Sequence, residues 1–141
     1  MHHVRIAFGT DEPTALTAAL VEHLRETGHD VDLVADGAEW PDVGRSVAEA
    51  VVGGRAQWGI VCCTTGTGVS IAANKVTGAR AALCTDAATA EGARRWNDAN
   101  VLAFGLRLTS QALAREMVDA FLSTPFDVGE SAAVDRLEAS S

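Results

Sequence analysis

Apolar positions along this chain alternate between short unbroken runs and stretches that recur every three or four residues. Residues 4–9 (VRIAFG) form a run closed by glycine, the length of a buried strand. Leu16, Leu20 and Leu24 then recur four apart on one helical face; Asp11 is a candidate cap, Pro13 suits the first turn and Gly28 closes the helix. The same alternation predicts a strand over 31–35, and a helix over 42–52 with Val43, Val47 and Val51 on one side, stopped by Gly53-Gly54. A third strand over 58–62 leads into a glycine-rich loop and a helix over 69–75. A strand over 79–84, a helix over 86–96 and a strand over 101–104 follow. The helix over 110–122 turns Leu113, Met117 and Phe121 inward and is ended by Pro125, and the tail 126–141 has room for one more short helix.

Five such β-α units predict a Rossmann-like α/β fold: a doubly wound, parallel five-stranded sheet in a three-layer α/β/α arrangement. The 141 residues fit a single domain, 1–141. In sheets of this kind ligands bind beyond the carboxyl ends of the strands, where the strand order switches. The segments after Gly9 and after Cys62 are therefore the expected walls of a site.

Charge and composition narrow the function. The net charge is −8, and the 11 Lys and Arg are scattered, with no basic cluster larger than Arg94-Arg95, so no nucleic-acid partner is expected. No apolar run reaches membrane-spanning length, and no membrane partner is expected. The start, Met1-His2-His3-Val4-Arg5, lacks the layout of a signal peptide, and no function is placed on His2 or His3. Three cysteines, Cys62, Cys63 and Cys84, argue against a disulfide framework and for a reducing, cytoplasmic setting. Cys62 and Cys63, being adjacent, are expected on opposite faces of their strand.

The strongest local signal is Cys63-Thr64-Thr65-Gly66-Thr67-Gly68-Val69-Ser70, which joins a strand to a helix. Backbone amides in such a loop converge, and the helix start adds positive potential, so an anion or a reaction oxyanion would be held here. Hydroxyls of Thr64, Thr65, Thr67 and Ser70 add donors. A thiol at Cys63, near a helix N-terminus, has the setting of a base or nucleophile; the plainer reading is a small buried residue in a tight turn. The loop lacks the Gly-Lys-Thr/Ser ending of a nucleotide P-loop. Asp11 is read as a substrate ligand or a helix cap, Asn97 as a substrate ligand or a turn cap, and Arg107 as the partner of an anionic substrate or of a surface carboxylate. Cys62 and Cys84 are read as core thiols.

The run GIVCCTTGTGVSIAANK, residues 59–75, resembles the signature of the type B ribose-5-phosphate isomerases and the related galactose-6-phosphate isomerases. Ile6-Ala7-Phe8-Gly9-Thr10-Asp11 is similar to the family's first strand and its substrate-binding aspartate. Arg94-Arg95-Trp96-Asn97-Asp98-Ala99-Asn100-Val101-Leu102-Ala103-Phe104-Gly105 is similar to its later site segment, and Arg107 follows at the family's spacing. The resemblance runs from about residue 4 to about residue 126. It implies a cofactor-independent aldose–ketose isomerase working through an enediol, with Cys63 as the base and Thr65 beside it. The glycine loop, with Thr64, Gly66, Thr67 and Gly68, would stabilise the enediolate, while Asn97 and Arg107 bind substrate. No metal and no organic cofactor are implied. The implied partners are a small-molecule sugar or sugar phosphate and further copies of the chain, a homodimer or tetramer with sites shared between subunits and the tail packed on a partner.

The chain departs from the family in its pocket. Glu12 stands for a histidine, Trp40 for a tyrosine, Thr64 for a glycine and Trp96 for the histidine thought to open the sugar ring. Two phosphate-gripping tail arginines fall on or near Glu130 and Val134, with Arg136 out of register. All four histidines precede residue thirty, so no imidazole stands near Trp96. Tryptophan faces suit sugar rings, which makes Trp40 and Trp96 candidate substrate contacts; the plainer reading is that they plug a disused pocket. The expected substrate thus differs from ribose 5-phosphate. The competing expectation is a non-catalytic ligand-binding homologue or a partner subunit of a heteromeric sugar-phosphate isomerase.

Overall fold

Strand and helix follow one another as β1 (Arg5–Thr10), α1 (Ala15–Glu26), β2 (Asp30–Asp36), α2 (Trp40–Val52), β3 (Trp58–Cys63), α3 (Thr67–Asn74), β4 (Ala81–Leu83), α4 (Ala87–Asn97), β5 (Val101–Gly105), α5 (Gln111–Ser123) and α6 (Ser131–Ala139). The computed structural model describes residues 4–140; His2 and His3 lie outside the described residues. The five strands are parallel in the order β2-β1-β3-β5-β4. This is the doubly wound α/β fold that the alternation predicts, with the order reversing between β1 and β3.

Period-two alternation sorts the central strands onto two faces. Ile6, Phe8, Ile60, Cys62, Leu102 and Phe104 pack with α1, α4 and α5 through Leu20, Leu24, Ala90, Met117 and Phe121. Ala7, Val61, Cys63, Val101 and Ala103 pack with α2 and α3 through Val43, Val47, Val69 and Ala73. Cys62 and Cys63 do face opposite ways. The second face is built from smaller residues, so its helices sit closer. A Cβ on Gly59 would stand 2.7 Å from Val47 Cγ1, and one on Gly44 would stand 2.6 Å from both Ala72 Cβ and the Val69 carbonyl. Glycine at these points lets α2 approach β3 and α3.

Several boundaries differ from expectation. Asp11 does not cap α1: Thr14 does, in a reciprocal pair with Thr17 whose two amide-to-hydroxyl bonds measure 3.2 and 2.8 Å. Helix α2 starts at Trp40 because Pro41 falls in its first turn, where a missing N–H costs nothing. Strand β4 has three residues and is an edge strand paired only with β5. The tail forms a 3-10 turn (Val128–Glu130) and α6, which has no buried residue. It is held to its own chain by the Asp127 amide on the Arg95 carbonyl at 3.0 Å and by Glu138 on Arg80 at 2.7 Å. No helix among the described residues is long and apolar enough to cross a membrane.

Candidate functional site

The carboxyl ends of β1, β3 and β5 lie side by side, Thr10 paired with Cys62 and Cys63 with Gly105. Chain leaving each strand is tied to its neighbour. The Asp11 amide donates to the Cys62 carbonyl at 3.4 Å, the Leu106 amide to the Cys63 carbonyl at 2.8 Å and the Arg107 amide to the Thr64 carbonyl at 3.0 Å. Thus Asp11, Cys63, Thr64 and Arg107 meet at one pole of the sheet.

The loop between β3 and α3 is pressed onto β5. Gly66 adopts φ +79°, and a Cβ there would stand 2.6 Å from the Phe104 carbonyl carbon; one on Gly105 would stand 2.7 Å from Thr65 backbone. Gly66 is also the N-cap of α3 and offers no side chain to its first-turn amides. Those amides are left for another acceptor, the arrangement that favours an anion or developing oxyanion. The hydroxyls of Thr65 and Thr67 share a hydrogen bond of 2.7 Å. Trp40, at the start of α2, lies across Gly68 and is half-exposed.

Asp11 keeps one carboxylate oxygen, Oδ1, shielded from solvent with no partner. A buried acceptor in that condition favours a donor such as a sugar hydroxyl. Glu12 is exposed, its amide donating to the Thr10 hydroxyl at 3.2 Å. Cys63 is 5% exposed. Its neighbour Cys62 is fully enclosed, and burial pushes that thiol up to about 12, with a hydrogen bond from Thr10 pulling down and Asp11 and Cys63 pushing up. Cys84 is likewise pushed up to about 11 by burial, and then by Asp86. These two remain neutral thiols.

Trp96 and Asn97 are not with the others. They end α4, and the turn after them feeds the opposite pole: the Gly59 amide, at the start of β3, donates to the Asn100 carbonyl at 2.9 Å. Cys63 is four residue steps along the strand from Gly59, roughly 13 Å. Trp96 folds back on its own helix, where a Cβ on Gly92 would stand 2.8 Å from ring carbon Cζ3. Trp96 and Asn97 line a cavity of about 1080 Å³ along the β4 edge, with Arg80, Asp86, Leu83 and Leu137. Leu83, one of these lining residues, also stands close to the β3–α3 loop: a Cβ on Gly66 would lie 2.7 Å from its Cδ1. Within one chain the structure therefore does not bring Asn97 to Cys63. The helix-to-strand geometry that signals this, a helix C-terminus returning to the start of the next strand, was readable in the element order.

Sequence reasoning missed Asp98. It caps α4 in the left-handed region, φ 49°, the only residue other than glycine to do so among those described. Among the described residues no group of three His, Cys, Asp or Glu side chains is placed to hold a metal ion.

The model of a family described as Ribose/Galactose Isomerase matches residues 6–138. The chain is 41% identical over 132 residues to ribose-5-phosphate isomerase B of Escherichia coli, covering 89% of this chain and 87% of that protein. It is 38% identical over 133 residues to D-erythrulose-4-phosphate isomerase of Pectobacterium atrosepticum, covering 90% and 88%. The type B ribose 5-phosphate isomerase structure from Trypanosoma brucei superposes with a TM-score of 0.90 at 34% identity, covering 99% of this chain and 100% of that one.

Proposed function

Given that the chain belongs to the Ribose/Galactose Isomerase family, and is thereby an aldose–ketose isomerase of sugar phosphates, we propose that it works through an enediolate with Cys63 as the base. The observation that carries this is the fastening of the Cys63 and Thr64 carbonyls by the Leu106 and Arg107 amides. It holds thiol, glycine loop and arginine backbone in one rigid unit. As thiolate, Cys63 takes the proton from C2 of the open-chain aldose, and the electron pair moves onto O1. First-turn amides of α3 stabilise that oxyanion. The proton on O2 passes to O1, relayed by the Thr65–Thr67 hydroxyl pair, and Cys63 returns its proton to C1, leaving a ketone at C2. Asp11 Oδ1 accepts a substrate hydroxyl, and Trp40 forms the wall above Gly68.

Asn97 and Trp96 then act on the site of another copy, so the working unit is at least a homodimer with composite sites. The tail lacks paired arginines for phosphate, and Arg107 is the remaining cation by the loop. A substrate other than ribose 5-phosphate, with phosphate held less tightly, fits that inventory.

The test is deuterium incorporation next to the carbonyl, followed by NMR in D2O. The panel is D-ribose 5-phosphate, D-erythrulose 4-phosphate, D-galactose 6-phosphate and the unphosphorylated sugars. Label enters at least one compound with the native chain and none with Cys63→Ala. Mixing Cys63→Ala with Asn97→Ala chains restores about a quarter of the native rate if sites are composite. Silence across the panel supports the second reading, a partner subunit that binds without turnover, which the 5% exposure of Cys63 favours.

A further inference from the structure

Asp98 follows Asn97 directly, in a backbone conformation that disfavours side chains, and two arginines hold it there. Arg94, 5% exposed, donates to Asp98 Oδ1 at 2.9 Å and to the Ala99 carbonyl at 2.7 Å, with its guanidinium 4.2 Å from the Trp58 ring centre. Arg80 donates from Nε to the Asp98 carbonyl at 2.8 Å and from Nη2 to Asp98 Oδ2 at 3.4 Å. Its backbone is fixed as well. The Arg80 amide donates to Asn100 Oδ1 at 2.7 Å, and the Arg80 carbonyl accepts the Asn100 amide at 2.9 Å. The remaining arm of the same guanidinium, Nη1, reaches Glu138 on α6 at 2.7 Å. The Arg80 side chain is thus shared by the turn after Asn97 and the C-terminal helix. A planar guanidinium spreads its donors over three nitrogens in a fixed fork, which an ammonium, with its donors on one nitrogen, does not.

We propose that Arg80 is a positioning residue: through Asp98 it fixes the turn that presents Asn97, and through Glu138 it makes that turn depend on the docking of α6. Asp98 left alone would relax out of the left-handed region, and Asn97 would shift with it. Helix α6 has no buried residue, and the Arg80–Glu138 pair ties it to this turn. The proposal rests on Asn97 being a substrate ligand, and the experiment separates the two.

Amide exchange in the full-length chain reads the turn directly. Arg80→Gln and the milder Glu138→Gln are expected to accelerate exchange at the Asp98 and Asn100 amides by about fivefold or more, with the amides of central β3 unchanged. Unchanged exchange at Asp98 and Asn100 in both variants overturns the proposal. The kinetic arm uses the best substrate of the panel above. Asn97→Ala and Arg80→Gln each raise KM about tenfold with kcat within threefold, and the double variant is no worse than Asn97→Ala. A double variant with fully additive losses overturns the positioning role. A native KM in Asn97→Ala overturns the reading of Asn97 instead, leaving exchange to decide the coupling of α6 to the turn.

Discussion

Trp40 stands against Gly68 so closely that a methyl group added there would lie 2.9 Å from ring carbons Cδ2 and Cε3. The indole is 46% exposed, so it can swing outward rather than be crushed. Gly68→Ala is therefore expected to cost under about 1 kcal/mol of stability. It should still uncover the loop and raise KM about tenfold, with a changed tryptophan fluorescence maximum. Denaturation and steady-state kinetics measured together separate the two effects.

Gly44 predicts the opposite balance. A Cβ there would meet Ala72 Cβ and the Val69 carbonyl at 2.6 Å, and the Ala73 amide nitrogen at 2.9 Å. Backbone cannot swing aside, so Gly44→Ala pushes α2 from α3 and costs about 2–3 kcal/mol. A fall in urea midpoint of matching size is the readout.

The enclosed thiols set an alkaline limit. Cys62 and Cys84 have folded values of about 12 and about 11, raised from an ordinary 9.0. The unfolded chain loses these protons first, so their contribution is whole below pH 9 and is lost as pH rises through 11 and 12. Stability should fall in that window, and less steeply in Cys62→Ala. At pH 8 iodoacetamide should leave Cys62 and Cys84 unmodified in the folded protein, as peptide mass spectrometry will show.

Asp98 predicts a graded series. Asp98→Ala strands the enclosed guanidinium of Arg94 without its carboxylate and should cost about 3 kcal/mol. Asp98→Asn keeps hydrogen-bond acceptance and tolerates the left-handed turn, so its loss should be about 1 kcal/mol. Asp98→Gly relieves the backbone yet takes the carboxylate from both arginines, and thermal denaturation should place it between the two.

Much of the fold was legible because local pattern and global packing agree. The four-residue spacing of Leu16, Leu20 and Leu24 and the runs over β1, β3 and β5 each have one reading. The cysteine-glycine loop was legible for the same reason, being a contiguous segment. Contacts between distant segments were not. Nothing near Trp40 in the chain announces Gly68, and nothing near Trp96 says that it folds onto Gly92. The left-handed turn at Asp98 depends on Arg80 and Glu138, which are 18 and 40 residues away. Thr14 displaced Asp11 as the cap of α1 through a hydroxyl pair with Thr17, a choice that spacing alone leaves open.

Strand β5 lies between β3 and β4, although it is made after both. A nascent chain that has emerged only to residue 100 has a three-residue β4 with nothing to pair with and a bare flank on β3. The sheet can close only when residues 101–105 thread into that gap. Assembly thus waits on β5, and a stall during translation just before it would expose the apolar flank of β3 to other chains.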